Sequence, residues 1–596
     1  MKQHFQSQRQ LAVEKGLIAQ KKVNLLSILR LGAFALLVAS AWLWSRQGGN
    51  MWPAVLAIGA VCFLVLMRLH QDAQRQRRFF GNIADINLDE EKRLGFEFAR
   101  DDKGASFQDT LHPYSSDLDI FGKHSLFRLL NRTRTAEGST RLADWLRTPA
   151  PLETILERQE ALTASRGHFE WRQNWQATAM LHENATQHIG ALENWLNTPL
   201  EAGLKKLLPW KWWSIVTVSL LVAWGAGLLP FWPSAFSLVV HLLVLRRFAK
   251  PIQQLTGQTL RIGTTLVAYA DMMALTGEAP MTGKWWKGQL ETGKEAEKAV
   301  RELGTWFNRL DFRANAYFTL FIGIPVLWDL ICLDALENWK DRYREQFPDW
   351  VDALANIEAL NSLAGHAFAN PDQVLPEVHW GNTLDIEAVQ MGHPLIPAEK
   401  RVCNDFSLQG CGQTVLITGS NMSGKSTFLR TVGLNLVLAQ AGGVVAAQSL
   451  SCSLMQVFTS MRTQDSLEEN TSSFYAELKR LKQLITLAEA RTDIPVFYLL
   501  DEILKGTNSA DRHRGAAALI RQLHPMNASG IVSTHDLELG IWGNSRPYVQ
   551  NFNFQSDLSK GRITFDYRLR PGTCASFNAS ELMRMMGIKM ELHDEK

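Results

Sequence analysis

A chain of 596 residues has room for roughly three or four domains, so its length places no limit on the core that it can bury. Its 62 basic and 59 acidic residues leave a net charge of +3, which gives no argument from bulk charge for a nucleic-acid-binding protein. The six cysteines are scattered without a C-x-x-C pair, so we expect reduced thiols and neither a zinc site nor a disulfide framework.

The first 68 residues change from basic to apolar character. A polar, mostly basic segment, 1–24, precedes two apolar runs at 25–44 and 51–67, and each run is close to the length needed to cross a bilayer. Basic residues flank both outer ends of the pair, whereas the connecting loop carries only Arg46. The positive-inside rule therefore predicts a transmembrane hairpin over 25–68 with both ends in the cytoplasm. The alternative is a pair of buried core helices.

A second pair of apolar runs lies at 210–228 and 231–245. Basic residues again precede and follow the pair, and the connector carries no charge. The same rule predicts a second cytoplasm-to-cytoplasm hairpin over 210–246, although its second run is short for a span and contains His241.

Two soluble regions, 79–204 and 251–370, alternate charged and apolar residues at helical spacing. A further apolar run at 318–333 carries Asp329. Because a charge near the middle of a span is expensive, this run favours a buried core helix over a fifth membrane span.

A glycine-rich loop follows the apolar run 414–418 and precedes a helix-like segment, 428–439. Its G-x-x-x-x-G-K-S spacing is that of a phosphate-binding loop, in which Lys425 reaches the β- and γ-phosphates and Ser426 holds Mg²⁺. The alternative is a glycine-rich turn with a surface lysine. The residues predicted to bind the nucleotide are Gly419, Asn421, Met422, Ser423, Gly424, Lys425, Ser426 and Thr427.

Two later strand-like runs end in residues that can act on a nucleotide. The continuous apolar run 496–500 ends at Asp501 and Glu502, where Asp501 is placed to hold Mg²⁺ and Glu502 to orient or deprotonate the attacking water. A run that begins at Gly530 ends at His535, which can hydrogen-bond the γ-phosphate. The alternatives are a solvated acidic pair and a structural or surface histidine.

Between these strands, the segment 470–480 predicts a helix that begins near Ser472. Ser472 is a suitable N-cap, and Glu477 falls early in the helix. One interpretation is a capped amphipathic helix and nothing more. The other is a helix N-terminus that is offered to the phosphate of a neighbouring subunit.

Four of these segments, 418–430, 472–477, 500–509 and 533–536, together resemble the ATPase domain of the MutS family of DNA mismatch-repair proteins, a branch of the ABC-type ATPases. The Asn421-Met422 pair is distinctive of that family's phosphate loop. The segment 126–149 is similar to the family's helical core.

The resemblance implies an α/β P-loop ATPase domain of the ABC/MutS type at the C-terminus and an all-α MutS-like core. The apolar runs add transmembrane helical hairpins to this fold. The resemblance implies ATP and Mg²⁺ as cofactors, with Glu502, His535 and Lys425 as catalytic residues and Ser426 and Asp501 as metal ligands. It also implies a homodimer in which Ser472 of one chain meets the ATP of the other. The predicted domains are 1–24, a cytoplasmic segment; 25–68, the first hairpin; 79–204, the first part of the core; 210–246, the second hairpin; 251–370, the second part of the core or a lever; and 380–596, the ATPase domain.

The sequence also departs from the family pattern. The Phe-x-Glu of the family's mismatch reader is not found, and neither a DNA-clamp insertion nor an appended nuclease domain is expected. Lys505 replaces the usual arginine and Ser473 the usual threonine. The resemblance therefore supports ATP hydrolysis more strongly than mismatch recognition.

We therefore expect a multi-pass protein of the inner (plasma) membrane, with its ATPase domain and both termini in the cytoplasm. Its output is either DNA binding or damage sensing, or an ATP-driven switch or scaffold that does not bind DNA. A transporter is the weakest alternative, because the spans carry almost no charge and the Leu-Ser-Gly-Gly-Gln signature is missing.

Overall fold

The computed structural model divides the chain into two units that are both discontinuous in sequence. The first unit comprises Met1–Glu91, Arg132–Thr140 and His168–Ala359. The second unit comprises Lys92–Asn131, Arg141–Gly167 and Leu360–Lys596. The structure describes residues 1–48, 51–181, 190–259, 262–420, 422–461, 473–490, 492–559 and 562–574.

Helices dominate the first unit, whereas the second combines helices with two sheets. In chain order the α-helices are α1 (Lys2–Gln47), α2 (Met51–Leu94), α3 (Leu126–Leu130), α4 (Ala136–Arg147), α5 (Leu152–Arg166), α6 (Phe169–Ala179), α7 (Gly190–Asn197), α8 (Ala202–Lys205), α9 (Trp213–Gly225), α10 (Trp232–Thr259), α11 (Ile262–Gly277), α12 (Lys284–Leu310), α13 (Ala316–Phe318), α14 (Ile324–Val326), α15 (Trp328–Tyr343), α16 (Phe347–Ala369), α17 (Lys425–Ala441), α18 (Ser473–Glu489), α19 (Ser509–Leu523) and α20 (Leu537–Asn544). Short 3₁₀-helices lie at Ala105–Phe107, Leu208–Trp212, Asp311–Ala314, Ala398–Lys400 and His524–Met526, and a π-helical turn at Thr319–Gly323 joins α13 to α14.

The two N-terminal helices, α1 and α2, pair along their length. Gln6 Nε2 donates to Glu91 Oε1 at 2.6 Å near their outer ends, and the Ser27 hydroxyl lies 2.9 Å from His70 Nε2 farther along. The basic segment 1–24 is thus the first half of α1, whose apolar second half exposes most of its large side chains. Such a continuous exposed apolar surface is unusual for a helix pair in water.

Among the described residues, three helical stretches are long and apolar enough to cross a membrane, namely α1, α2 and Ala202–Gly225. A bent pair, Ala316–Val326 and Trp328–Tyr343, passes the same test as one unit, with a bend of 73°. Within the predicted hairpin over 210–246, the first run therefore belongs to such a helix. The second run lies in α10, which is not among the three. Membrane insertion remains a prediction.

The apolar run at 318–333 has two halves with different surroundings. The helix α15, which contains its second half, buries Leu330 and Leu333 in the core of the first unit, as the sequence predicts. The first half instead exposes Leu320 and Phe321, because the chain breaks at Leu327, whose φ of 55° is left-handed. The preference for a buried helix is therefore wrong for this half.

A buried carboxylate links two helices of the first unit. Glu358 of α16 accepts hydrogen bonds from the backbone N–H of Arg134 at 2.6 Å and from the N–H and hydroxyl of Thr135. Gly138 makes this contact possible, since an added Cβ would lie 1.9 Å from Glu358 Oε2. Burial raises the pKa of Glu358 to about 7, even though the hydrogen bonds oppose that rise.

The second unit contains two sheets. A six-stranded sheet has the order β10-β9-β4-β8-β7-β6, and a four-stranded sheet has the order β1-β5-β2-β3. In the larger sheet the neighbours of β4, β7 and β8 are all parallel, and only β9 and β10 pair antiparallel. The strands are β1 (Glu377–His379), β2 (Asp385–Met391), β3 (Asn404–Gln409), β4 (Thr414–Gly419), β5 (Ser449–Ser453), β6 (Gln456–Ser460), β7 (Val496–Asp501), β8 (Ala528–Thr534), β9 (Val549–Ser559) and β10 (Arg562–Pro571).

Three strands predicted from apolar runs form the centre of the larger sheet. Every residue of β4 and β8 is buried, and β7 is buried up to its last residue. Strands covered on both faces read as continuous apolar runs, which explains why the sequence predicts them. Because they are parallel, their carboxyl ends meet at one edge, and that edge carries the candidate site.

Candidate functional site

The glycine loop, residues 419–427, joins β4 to α17 and is shaped by its two glycines. Gly424, the residue before α17, has a φ of 103°, which L side chains rarely adopt. At Gly419 an added Cβ would lie 2.9 Å from the carbonyl oxygen of Phe554. Met422 also has a positive φ, 71°, and its side chain is exposed. The glycines therefore let the loop turn tightly at the start of α17.

The ammonium group of Lys425 turns back into the glycine loop. Its Nζ donates to the carbonyl oxygens of Gly419 at 2.8 Å and of Ser420 at 3.0 Å, and the side chain is buried. Burial lowers the pKa of Lys425, and the nearby carboxylates of Glu502 and Asp501 only partly offset this. The loop thus holds a buried cation at its centre.

Three predicted residues lie at the carboxyl ends of β7 and β8, beside the loop. Asp501 is paired in register with Ser533, whose hydroxyl donates to Asp501 Oδ1. The backbone N–H of Glu502 donates to the Ser533 carbonyl at 3.0 Å, and its φ of 50° turns the chain out of the strand. His535 directly follows β8 and its Nδ1 lies 3.7 Å from Glu502 Oε2. The fold therefore brings the predicted acidic pair and histidine together.

Cations surround the Glu502 carboxylate. Lys505 Nζ lies 3.0 Å from Oε2, and Lys425 Nζ lies 3.7 Å from Oε1. Interaction with His535 is the largest cause that lowers the pKa of Glu502, burial opposes it, and the two lysines add to the lowering. The result is a pKa of about 2, so Glu502 is ionised at neutral pH.

A cavity of about 500 Å³ opens beside the glycine loop. Its lining includes Lys425, Ser426 and Thr427 of the loop and helix, together with Glu502 and with Tyr567 of β10. The volume falls within the range of small-molecule sites, and the wall combines polar groups with apolar surface. The arrangement suits a ligand that carries an anionic end and a flat, apolar end.

The position of Tyr567 is not predicted from the sequence. The backbone of Tyr567 has a φ of 54° and lies where the pairing of β9 with β10 is irregular. The Asn404 side chain stabilises this conformation: its Nδ2 donates to the Tyr567 carbonyl at 3.0 Å, and its Oδ1 accepts from the Leu569 N–H at 2.8 Å. An added Cβ on Gly424 would lie 2.9 Å from Tyr567 Cδ1. The only sequence signal is an aromatic residue in a late strand.

Glu477 ties α18 to the loop that follows Glu502. Its Oε1 accepts a hydrogen bond from the backbone N–H of Leu504, and burial raises its pKa despite this contact. The predicted helix near Ser472 begins at Ser473. Ser472 itself lies outside the described residues, as does Asn421 of the glycine loop.

Several polar atoms around the glycine loop are buried without a hydrogen-bond partner within the described part of the chain. They include the hydroxyl oxygens of Ser420 and Ser423 and the Nδ1 atom of His535. Buried polar groups without partners are costly, so these atoms fit a site for a polar ligand such as a phosphate chain. Ser426 on the first turn of α17 and Asp501 at the end of β7 offer the hard oxygen atoms that Mg²⁺ prefers.

Comparisons with known proteins relate the chain to the MutS family. The family model for MutS domain V matches residues 415–591. The endonuclease MutS2 of Latilactobacillus sakei is 30% identical over 42% of this chain and 31% of its own length. The DNA mismatch repair protein MutS of Lactobacillus helveticus is 25% identical over 58% of this chain and 46% of its own. The human MutS protein homolog 4 is 32% identical over 37% of this chain and 24% of its own. The chain thus spans less than half the length of each of these relatives.

Proposed function

Since the chain belongs to the MutS family, we propose that it binds and hydrolyses ATP at a site shared by two copies of the chain, while its apolar helices anchor it in a membrane. The observation that carries the proposal is the meeting of Lys425, Asp501, Glu502 and His535 at one edge of a parallel sheet. The steady-state hydrolysis of ATP by the purified chain tests it.

The glycine loop receives the phosphates. Backbone N–H groups at the start of α17 point toward the loop, and the positive end of the helix dipole favours an anion there. Lys425 exchanges its bonds to the Gly419 and Ser420 carbonyls for phosphate oxygens, which are stronger acceptors because they carry charge. The hydroxyls of Ser420 and Ser423 gain partners at the same time.

Ser426 and Asp501 would hold Mg²⁺, directly or through water. When bound there, the ion would supply positive charge to the phosphates. The Ser533 hydroxyl orients the Asp501 carboxylate by donating to its Oδ1, which leaves Oδ2 for the metal or its water.

Glu502 orients the attacking water. His535 and the two lysines lower the pKa of its carboxyl group, so the group is ionised, and an ionised carboxylate accepts a strong hydrogen bond from water. His535, whose Nδ1 is buried beside it, contacts the γ-phosphate. When Lys425 moves onto phosphate, Glu502 loses part of the positive charge around it and becomes more basic.

Tyr567 takes the base of the nucleotide. Its ring lies against Gly424 of the glycine loop and lines the same cavity, so a purine can stack on it while the phosphates reach Lys425. This explains why the cavity pairs an anion-binding wall with an aromatic one.

A second chain completes the site. We assign Ser472 to the ATP of the partner copy, as the family resemblance implies. Glu477 of α18 accepts a hydrogen bond from Leu504, which lies in the loop that follows Glu502. A movement of α18 in response to the partner's nucleotide therefore reaches the Glu502 loop of the same chain as α18.

The first 94 residues supply the first membrane anchor. The predicted topology, with both ends in the cytoplasm, follows from the basic flanks and from the exposed apolar halves of α1 and α2. The polar halves of the two helices instead pack against α6, where Phe5 contacts Phe169 and Asn87 donates to Gln173.

DNA binding is the output that the family suggests, and an ATP-driven membrane switch without DNA is the second candidate. The long apolar helices at the N-terminus favour the second, because they are of the kind that anchors a protein in a membrane. A gel shift of labelled duplex DNA, repeated across salt concentrations with the chain in nanodiscs, separates the two. Salt-dependent binding supports the DNA output, whereas intact ATP turnover without binding at low salt supports the switch.

A further inference from the structure

The bent segment 314–328, which joins the 3₁₀-helix after α12 to α15, contains no charged residue. Its α13–α14 portion exposes Tyr317, Leu320 and Phe321, with Phe321 71% exposed. These side chains continue the exposed apolar surface that α9 and α10 present nearby in the same unit. A contiguous apolar surface of this kind marks a site of interaction with a protein or a membrane.

The two ends of this segment meet. The rings of Phe312 and Trp328 are stacked with their centroids 6.4 Å apart, and Arg313 lies 3.7 Å from Asp329. The helical part, Ala316–Val326, rises only about 16 Å at 1.5 Å per residue, against a hydrocarbon core of about 30 Å. A segment of this length whose ends lie together fits entry and return on one side better than a crossing.

The break in the helix exposes backbone that needs partners. At Leu327 the chain turns with a φ of 55°, and the Ile324 carbonyl accepts from His241 Nδ1 of α10 at 2.9 Å. The same carbonyl also accepts from the backbone N–H of Leu327 at 3.3 Å. Because an unsatisfied carbonyl in hydrocarbon costs several kcal/mol, the shorter contact from His241 strengthens the pairing of a broken helix in an apolar environment.

A chain of hydrogen bonds fixes the histidine. Because the Ile324 carbonyl can only accept, Nδ1 of His241 carries the proton and Nε2 accepts from the Thr217 hydroxyl at 2.9 Å. Thr217 in turn accepts from Ser237 at 2.7 Å, and Ser237 accepts from the Trp213 indole N–H at 3.0 Å. Each donor in this row of hydrogen bonds, from the Trp213 indole to His241 Nδ1, therefore has an acceptor.

Polar contacts mark where the apolar surface ends. Lys211 pairs with Asp334, and Lys205 lies 2.8 Å from Asp341. Both pairs join the approach to α9 with α15, so the ends of α9 and of the bent segment lie at the same polar boundary.

We propose that residues 314–328 form a re-entrant membrane element that enters the cytoplasmic leaflet beside α9 and α10 and takes lipid acyl chains on its Tyr317, Leu320 and Phe321 face. His241 is the positioning residue that satisfies the break. The inference rests on the proposed membrane anchoring and adds an element to it.

Nitroxide accessibility in nanodiscs of phosphatidylcholine and phosphatidylglycerol tests this. The full chain first receives Cys62→Ala, Cys403→Ser and Cys411→Ser, since these thiols are not buried. A single labelled cysteine then replaces Phe321, Val222 of α9 or Leu111. Leu111 is the matched control, because it is 70% exposed and belongs to the other unit.

We expect the label at Phe321 to resemble the label at Val222, with collisions with oxygen raised and collisions with a nickel chelate reduced several-fold relative to Leu111. If Phe321 instead resembles Leu111 while Val222 is protected, the re-entrant element is refuted and the anchoring stands. If Val222 also resembles Leu111, the anchoring by α9 fails and the inference fails with it. Protection of Phe321 from both reagents would place it inside the protein and also refute the inference.

His241→Ala tests the role of the histidine. We expect it to raise nickel-chelate collisions at Phe321 several-fold, whereas His379→Ala in the second unit leaves them unchanged. Unchanged accessibility in His241→Ala would overturn the assignment of His241 as the group that satisfies the break.

Discussion

Lys425 Nζ lies 3.7 Å from Glu502 Oε1, so the cation expected to hold phosphate and the carboxylate expected to direct water share one buried space. The ammonium group donates to two loop carbonyls and the carboxylate also contacts Lys505. A phosphate that draws Lys425 away changes the charge around Glu502. Binding and chemistry are therefore linked through one pair of side chains.

Lys425→Ala should weaken ATP binding by about ten- to a hundredfold, since a charge-assisted hydrogen bond contributes roughly 1.5–3 kcal/mol. Titration with a fluorescent ATP analogue measures this. Lys505→Ala is the matched control, because Lys505 also contacts Glu502 but lies outside the loop and is half-exposed. Equal losses in the two variants would contradict the role of Lys425.

Tyr567→Ala should weaken ATP binding by about three- to tenfold, since aromatic stacking contributes roughly 0.5–1.5 kcal/mol beyond burial. Tyr567→Phe should retain the affinity. Inorganic triphosphate provides the discriminating ligand, because it has no base to stack. If Tyr567→Ala weakens triphosphate binding as much as ATP binding, Tyr567 acts on the loop through Gly424 and not on the base.

Glu358 should make the first unit less stable as the pH rises. Its pKa is 4.5 in the unfolded chain and about 7 when folded, so between these values the unfolded chain releases a proton that the folded chain keeps. The contribution of Glu358 to the free energy of unfolding is then highest below pH 4.5. It falls by about 3 kcal/mol at most as the pH rises to about 7.

Glu358→Gln removes this titration. The melting temperature of the wild type relative to the variant should therefore fall by several degrees between pH 5 and pH 8. Glu399→Gln, an exposed substitution in the second unit, controls for general effects of charge. If the difference in melting temperature between wild type and Glu358→Gln stays constant across this range, the raised pKa of the buried Glu358 is contradicted.

Local patterns predicted the centre of the site, and long-range contacts determined the rest. The run 414–418, the glycine loop and the helix after it are contiguous, so the sequence shows them directly. The strand ends at Asp501 and His535 follow from continuous apolar runs of the kind that parallel strands require.

Two features escaped prediction for a physical reason. Tyr567 reaches the cavity because Asn404, far away in sequence, holds its backbone in a left-handed conformation. The run 318–333 divides at Leu327, where the Ile324 carbonyl accepts from the Leu327 N–H and from His241 of another helix, and hydropathy alone carries no sign of those contacts. Asn421 and Ser472 lie outside the described residues, so their roles stay predictions.

Glu502→Gln provides the most direct test of the central claim that this edge of the sheet hydrolyses ATP. The side chains are nearly isosteric, but the amide is neutral and cannot orient and activate water as the carboxylate does. We predict that the purified chain in nanodiscs hydrolyses ATP with Mg²⁺, and that Glu502→Gln retains bound ATP while turnover falls at least a hundredfold. Hydrolysis by Glu502→Gln at the wild-type rate would contradict the account.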